Sequence, residues 1–101
     1  MNHALEFLPD AMLDVEEAFL WYQAVSQRLS ERFQVQLELS LNAIQSNPQA
    51  FHLLNAKARC KKLKGFPYLV VYAMRRDVIS IIAVIHERKN PTTWKRRIKR
   101  R

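Results

Sequence analysis

The chain has 101 residues, 49% of them apolar, with one glycine, four prolines and a single cysteine, Cys60, which is enough for one modest hydrophobic core and excludes collagen-like and disulfide-framework proteins. No apolar run approaches the roughly 20 residues that a membrane-crossing helix needs, and residues 1–9 lack the basic start and apolar stretch of a secretory leader, so a cytoplasmic protein with no membrane partner is expected. The net charge of +8 is unevenly placed: Met1 to Ala56 carry two Lys/Arg against seven Asp/Glu, a net −5, whereas Lys57 to Arg101 carry fifteen against two, a net +13. A half of that charge attracts phosphates or acidic protein, through contacts that weaken as salt is added.

With no internal repeat, linker or low-complexity stretch, residues 1–101 read as a single domain. His3 to Leu8 alternate imperfectly and stop at Pro9, as a short strand would. Asp10 then reads as an N-cap. Behind it, Ala11, Val15, Ala18, Phe19, Tyr22, Val25 and Leu29 are spaced by three and four, with Asp14, Glu16 and Glu17 in the early turns, where the helix dipole favours negative charge. Ser30 reads as a second cap, and Phe33, Leu37, Ser40, Leu41 and Ile44 extend a helical stripe as far as Asn47, before Pro48. The first half is therefore a helical hairpin, and most of Gln45 to Ala56 is read as loop.

The period then changes from helical to alternating. Lys57, Arg59 and Lys61 fall on one face of a strand and Ala58 and Cys60 on the other, with Lys62 breaking the apolar side. Phe66 to Met74 and Val78 to Ile85 are rich in Val, Ile and Tyr and are parted by Arg75, Arg76 and Asp77, which suggests two central strands and a charged turn. Pro91 can open a short helix bearing Trp94, and Arg96 to Arg101, with five cations in six residues, is expected to fray. The resulting fold class is α+β: a small strand, a helical hairpin over one face of the sheet, then a three-stranded antiparallel β-meander whose other face is free.

The segments Asp14 to Tyr22 (DVEEAFLWY), Phe33, Ile44, Pro48, Arg59, Gly65 to Tyr72 (GFPYLVVY) and Val84 to Arg88 (VIHER), with Asn90, Pro91 and Trp94, resemble the RelE/ParE toxin superfamily, in the family order and over nearly the whole chain. The resemblance implies the toxin of a type II toxin–antitoxin system of the plasmid-stabilisation type. Such a toxin is neutralised by a small cognate antitoxin and reaches operator DNA only through it. RelE-type members cut messenger RNA in the ribosomal A site without a metal; ParE-type members poison DNA gyrase.

Metal-free RNA cleavage needs an acid, a base and cations around the phosphate. Arg59, Lys61, His86 and Arg88 are the catalytic candidates, with Glu87 as an alternative base. Lys57, Lys62, Lys64, Tyr68, Arg75, Arg76 and Arg97 are the candidates for binding nucleic acid or another target, Tyr68 by stacking. Against cleavage, RelE-type nucleases resembling this chain carry an arginine just before the Leu-Val-Tyr part of the third strand, where Tyr68 and Leu69 stand here. Loss of one such oxyanion donor is worth ~2.7 to 4 kcal/mol of transition-state stabilisation. His86-Glu87-Arg88 instead resembles the strand end of ParE-type toxins, which favours gyrase as target; a basic nucleic-acid-binding module without toxicity is the further alternative. His3 and His52 have no neighbours at metal-ligand spacing, so neither metal nor cofactor is expected. Trp21 lies off the main stripe and is open to a partner contact, and Cys60 is assigned to packing.

Overall fold

The computed structural model describes residues 3–99. In chain order the elements are β1 (Ala4–Phe7), α1 (Pro9–Val25), α2 (Gln27–Ser46), β2 (His52–Leu53), β3 (Arg59–Lys62), β4 (Tyr68–Arg75), β5 (Val78–His86) and α3 (Thr92–Lys99). One sheet of order β1-β5-β4-β3-β2 holds all five strands; β2 to β5 pair antiparallel in sequence order, and β1 joins β5 in parallel. The sheet thus has two strands beyond the expected meander, β2 inside the segment read as loop and β1 as a parallel edge.

Helix boundaries also differ from the sequence reading, for local reasons. Pro9 itself begins α1, since its fixed φ suits the first helical position and it has no N–H to leave unpaired there; Leu8, not Asp10, precedes the helix, with no side-chain cap. The second helix is capped by Ser26, whose Oγ accepts the Leu29 N–H at 3.0 Å, while Ser30 is buried one turn inside and donates to the Gln27 carbonyl at 2.7 Å. Between β4 and β5 the turn is only two residues, Arg76 (φ 52°) and Asp77 (φ 66°), and Arg75 belongs to the strand, paired with Val78. Positive φ at both central positions is the twist-matched hairpin geometry, here built without glycine.

Side chains alternate across the sheet and supply two cores. Phe33, Leu37 and Ile44 of α2 and Ala11 and Ala18 of α1 pack on Val70, Tyr72, Ile79, Ile81 and Val84, with Leu63 and Phe66. The opposite face, expected to be free, is covered by α3: Trp94 is buried with Cys60, Val71, Ala73, Ile82, Ala83 and Ile85, and Ile98 packs alongside. The basic C-terminal segment is therefore helical through Lys99 instead of frayed; Arg100 and Arg101 lie outside the described residues.

Arg97 holds α3 in place. Its guanidinium makes a two-pronged pair with Asp14 of α1 (Nη1 to Oδ2 2.5 Å, Nη2 to Oδ1 3.1 Å), lies 3.7 Å from Asp10, and donates to the Ile82 carbonyl at 3.0 Å. Asp14 also accepts the Val84 N–H at 3.0 Å. Ile82 is an extra residue of β5, at a bulge where Val71 pairs Ala83 but Tyr72 pairs Ile81. Beyond Phe7 no strand among the described residues flanks this edge of β5, and the ion pair meets the Ile82 carbonyl and the Val84 N–H in place of one.

Removing Asp14 would take the two-pronged partner from a guanidinium that is 12% exposed and leave the Val84 N–H without its acceptor. Asp14→Ala is expected to lower unfolding free energy by about 2 to 4 kcal/mol in urea titrations; a loss below about 0.5 kcal/mol would show the pair to be incidental. Tyr72, 1% exposed, donates its hydroxyl to the Pro48 carbonyl at 2.6 Å. Burial above all pushes its pKa from 10.0 up to about 12, with Cys60 adding to the rise and Arg59 opposing it. A folded value above the unfolded one means stability that is present below pH 10 and lost as pH rises towards about 12. Stability measured across that window should fall less steeply in Tyr72→Phe than in the parent.

Candidate target-binding surface

The site residues named from sequence fall into separate groups. At one end of the sheet β4 begins with Tyr68 and β5 ends with His86, directly opposed, with ring centroids 5.7 Å apart. Tyr68 also meets Phe33 at 5.6 Å and Tyr22 at 6.0 Å, so it forms the rim of the aromatic core and is not an open stacking platform. Its hydroxyl is pushed to higher pKa by burial first and then by Glu17 and Asp14. Nδ1 of His86 accepts the Arg88 N–H at 3.1 Å, placing the proton of the neutral ring on Nε2. On the other face of the same sheet end, Lys62 pairs with Glu87 at 3.4 Å, and Lys64 is exposed in the following turn.

Arg59 and Lys61 do project to one side, as their alternation required, but it is the side of α1 and α2. Both are drawn to the loop before β2: Arg59 donates to the Phe51 carbonyl at 2.9 Å, and the Lys61 ammonium sits 5.4 Å from the Phe51 ring centre. Lys57 precedes the strand and is exposed. Two strand spacings, roughly 10 Å, separate β3 from β5. Fully buried Val70 pairs with both Lys61 and Val84 between them. Arg75 and Arg76 are at the hairpin, the opposite end of β4 from Tyr68. Arg97, named as a target-binding residue, has its guanidinium committed to Asp14, Asp10 and Ile82. The four catalytic candidates therefore do not surround one point. Lys62, Tyr68, His86 and Glu87 share one end of the sheet but divide between its faces, and neither Tyr68 nor Leu69 places a cation there.

A second surface was largely missed from sequence. Met12, Leu13, Leu20, Trp21 and Val25 of α1 and Val35 and Leu39 of α2 are exposed, Trp21 by 67% and Leu13 by 62%. Between the helices a groove of about 370 Å³ is lined by Met12, Val15, Phe19, Phe33 and Leu37, with Glu16 and Glu38 among its polar neighbours. The signal was present: α1 has more apolar residues than one stripe can bury, and Trp21 was its visible part. No helix among the described residues is long and apolar enough to cross a membrane.

The family model for the ParE toxin of the type II toxin–antitoxin system parDE matches residues 5–91. The chain belongs to the ParE toxin family. Solved structures share the fold of this ParE-family toxin at low identity. A chain from the chromosomal ParDE toxin–antitoxin system of P. aeruginosa superposes with a TM-score of 0.72 at 14% identity, covering 83% of this chain and 95% of that one. A double arginine-to-alanine mutant of E. coli RelE in the free state gives a TM-score of 0.66 at 20% identity over 99% and 98% of the two chains. The isolated E. coli RelE toxin gives 0.58 at 19% over 97% of each. No curated protein matches the sequence.

Because the α1 and α2 outer side chains contact solvent, the isolated toxin should tolerate their loss. Leu13→Ser and Trp21→Ser are each expected to stay within about 0.5 kcal/mol of the parent in urea melts; a loss above about 1.5 kcal/mol would mean that these side chains pack within the fold.

Proposed function

We propose that this ParE-family toxin acts on DNA gyrase and is held inactive by a cognate antitoxin. The observation that carries the choice of target is the dispersal of the nuclease candidates: Arg59 and Lys61 lean on Phe51, Tyr68 closes an aromatic core, and Leu69 stands where a phosphate-clamping arginine would be needed. RNA cleavage demands acid, base and cation within hydrogen-bond reach of one phosphate. Blocking a protein target needs only a complementary surface, and the ParE membership supports that reading.

The antitoxin is proposed to be an acidic, partly disordered protein that folds across the toxin. Its apolar residues would cover the α1–α2 groove, and its carboxylates would neutralise the basic second half. Operator DNA would be contacted through the antitoxin, and the complex would work in the cytoplasm.

Ribosome-dependent RNA cleavage is kept as the second reading, because Tyr68 and His86 lie side by side with Lys62 and Glu87 at the same sheet end. A short pulse of expression separates the two. The gyrase reading expects loss of supercoiling and accumulating DNA breaks, with uncut messages by primer extension, and rescue by the product of an adjacent small gene. Codon-positioned cuts with normal supercoiling, weakened by His86→Ala or Lys62→Ala, would replace it with the nuclease.

A further inference from the structure

Two strands of the sheet end before the neighbours they pair with, and the two exposed edges are treated differently. Past Phe7, the outer edge of β5 is closed by Arg97 and Asp14, which take the Ile82 carbonyl and the Val84 N–H. Before Arg59, where β3 begins, β4 runs on through Ala73, Met74 and Arg75, and no strand among the described residues lies beside them on that side. Neighbouring bonds show which of these residues points outward. The Tyr68 carbonyl accepts from Leu63 and the Pro67 carbonyl from Glu87, so even-numbered residues of β4 turn their backbone groups towards β3 and odd-numbered ones towards β5. Met74 accordingly directs its N–H and C=O to the open side.

The chain does not supply the next rung itself. Asn55 Oδ1 accepts the N–H groups of Lys57 and Ala58 at 2.8 and 2.9 Å, and this turn carries the backbone away from β4 just before β3 starts. What remains is a cleft of about 500 Å³ along the edge of β4, lined on its apolar side by Leu53, Tyr72, Met74 and Ile98. Lys57, Arg59 and Arg75 also line it, and among the described residues no carboxylate does. An open backbone rung among natural proteins is a pairing template unless it is guarded, and cations at an edge exclude strands that are themselves basic.

We propose that this cleft receives an extended acidic segment of a protein partner, added as a short strand in line with β3 and paired with Met74. The residue opposite Met74 would point its side chain to the face on which Arg59 lies, and the residues on either side of it to the face of Arg75 and Ile98. The cleft thus selects carboxylates beside Arg59 and Arg75 and an apolar side chain against Ile98. A peptide meets the free N–H and C=O with its own; a phosphodiester backbone has no donor for the Met74 carbonyl, and the apolar lining offers it nothing. The site does not depend on which target the toxin acts upon.

The test uses the whole protein and a fluorescein-labelled octapeptide of alternating Glu and Val, with a Lys–Val octapeptide and inorganic phosphate as controls. Saturable binding by anisotropy is expected for Glu–Val alone, with slowed hydrogen exchange at the Met74 amide. The double variant Lys57→Glu, Arg75→Glu, at exposed positions, should bind at least tenfold more weakly with an unchanged melting temperature. Met74→Pro removes the outward-facing N–H, together with a side chain packed on the core, and should likewise lose binding; if that variant does not fold, the charge-reversed protein and the exchange measurement decide. Equal binding to parent and charge-reversed protein would overturn the proposal. So would displacement of the peptide by phosphate with no protection at Met74, which would leave an anion site without strand pairing.

Discussion

The arrangement of this molecule hangs on the pair formed by Asp14 and Arg97. Eighty-three positions apart, they join the first helix to the last and reach the backbone of β5 between them. The need for them is topological. A four-residue β1 cannot flank a nine-residue β5, and the bulge at Ile82 leaves polar backbone groups on the uncovered part. An acid from one side and a cation from the other meet those groups at once, and in doing so they pin α3 over a face of Val, Ile and Ala side chains that would otherwise be wet. A salt bridge of this kind acts mainly as a locator, since neither partner can leave without uncovering the other.

Around that joint the protein is divided by chemistry. The helical hairpin is net acidic and displays large apolar side chains to solvent; the strands and α3 carry the cations. A free toxin with both surfaces exposed suits a partner that has to cover an apolar groove and neutralise a basic sheet together. Apolar anchoring contributes affinity, while the charge steers encounter and sets which partners are rejected. Under the proposed function, the exposed Leu13, Leu20 and Trp21 are the contact surface that an antitoxin would cover.

Several elements were legible without coordinates because their cause is local. The three-and-four spacing of Ala11, Val15, Ala18 and Tyr22, and of Phe33, Leu37 and Ile44, set the helices, and Trp94 after Pro91 marked α3. Errors arose where two local signals compete. Asp10 and Ser30 are good cap types, but the first helix already begins at Pro9, behind an uncapped Leu8, and Ser26 caps the second four residues before Ser30; the displaced Asp10 faces Arg97. Of the site residues, the facing of Arg59 with Lys61 followed from alternation, whereas their attachment to Phe51 and the closeness of Lys62 to Glu87 did not.

By itself, the sequence determined the helical hairpin, the Val- and Ile-rich central strands, the strong asymmetry of charge and the resemblance that the ParE family model bears out, all of which rest on periodicity, composition and short-range order. Only the tertiary structure decided that β1 runs parallel to β5, that α3 closes the second face, that Arg97 is internal, and that Met74 is left with an open rung. The reason is that strand pairing and ion pairing join residues far apart in the chain. Whether a cation faces solvent or a carboxylate depends on where each strand happens to stop, which no local pattern of residues records.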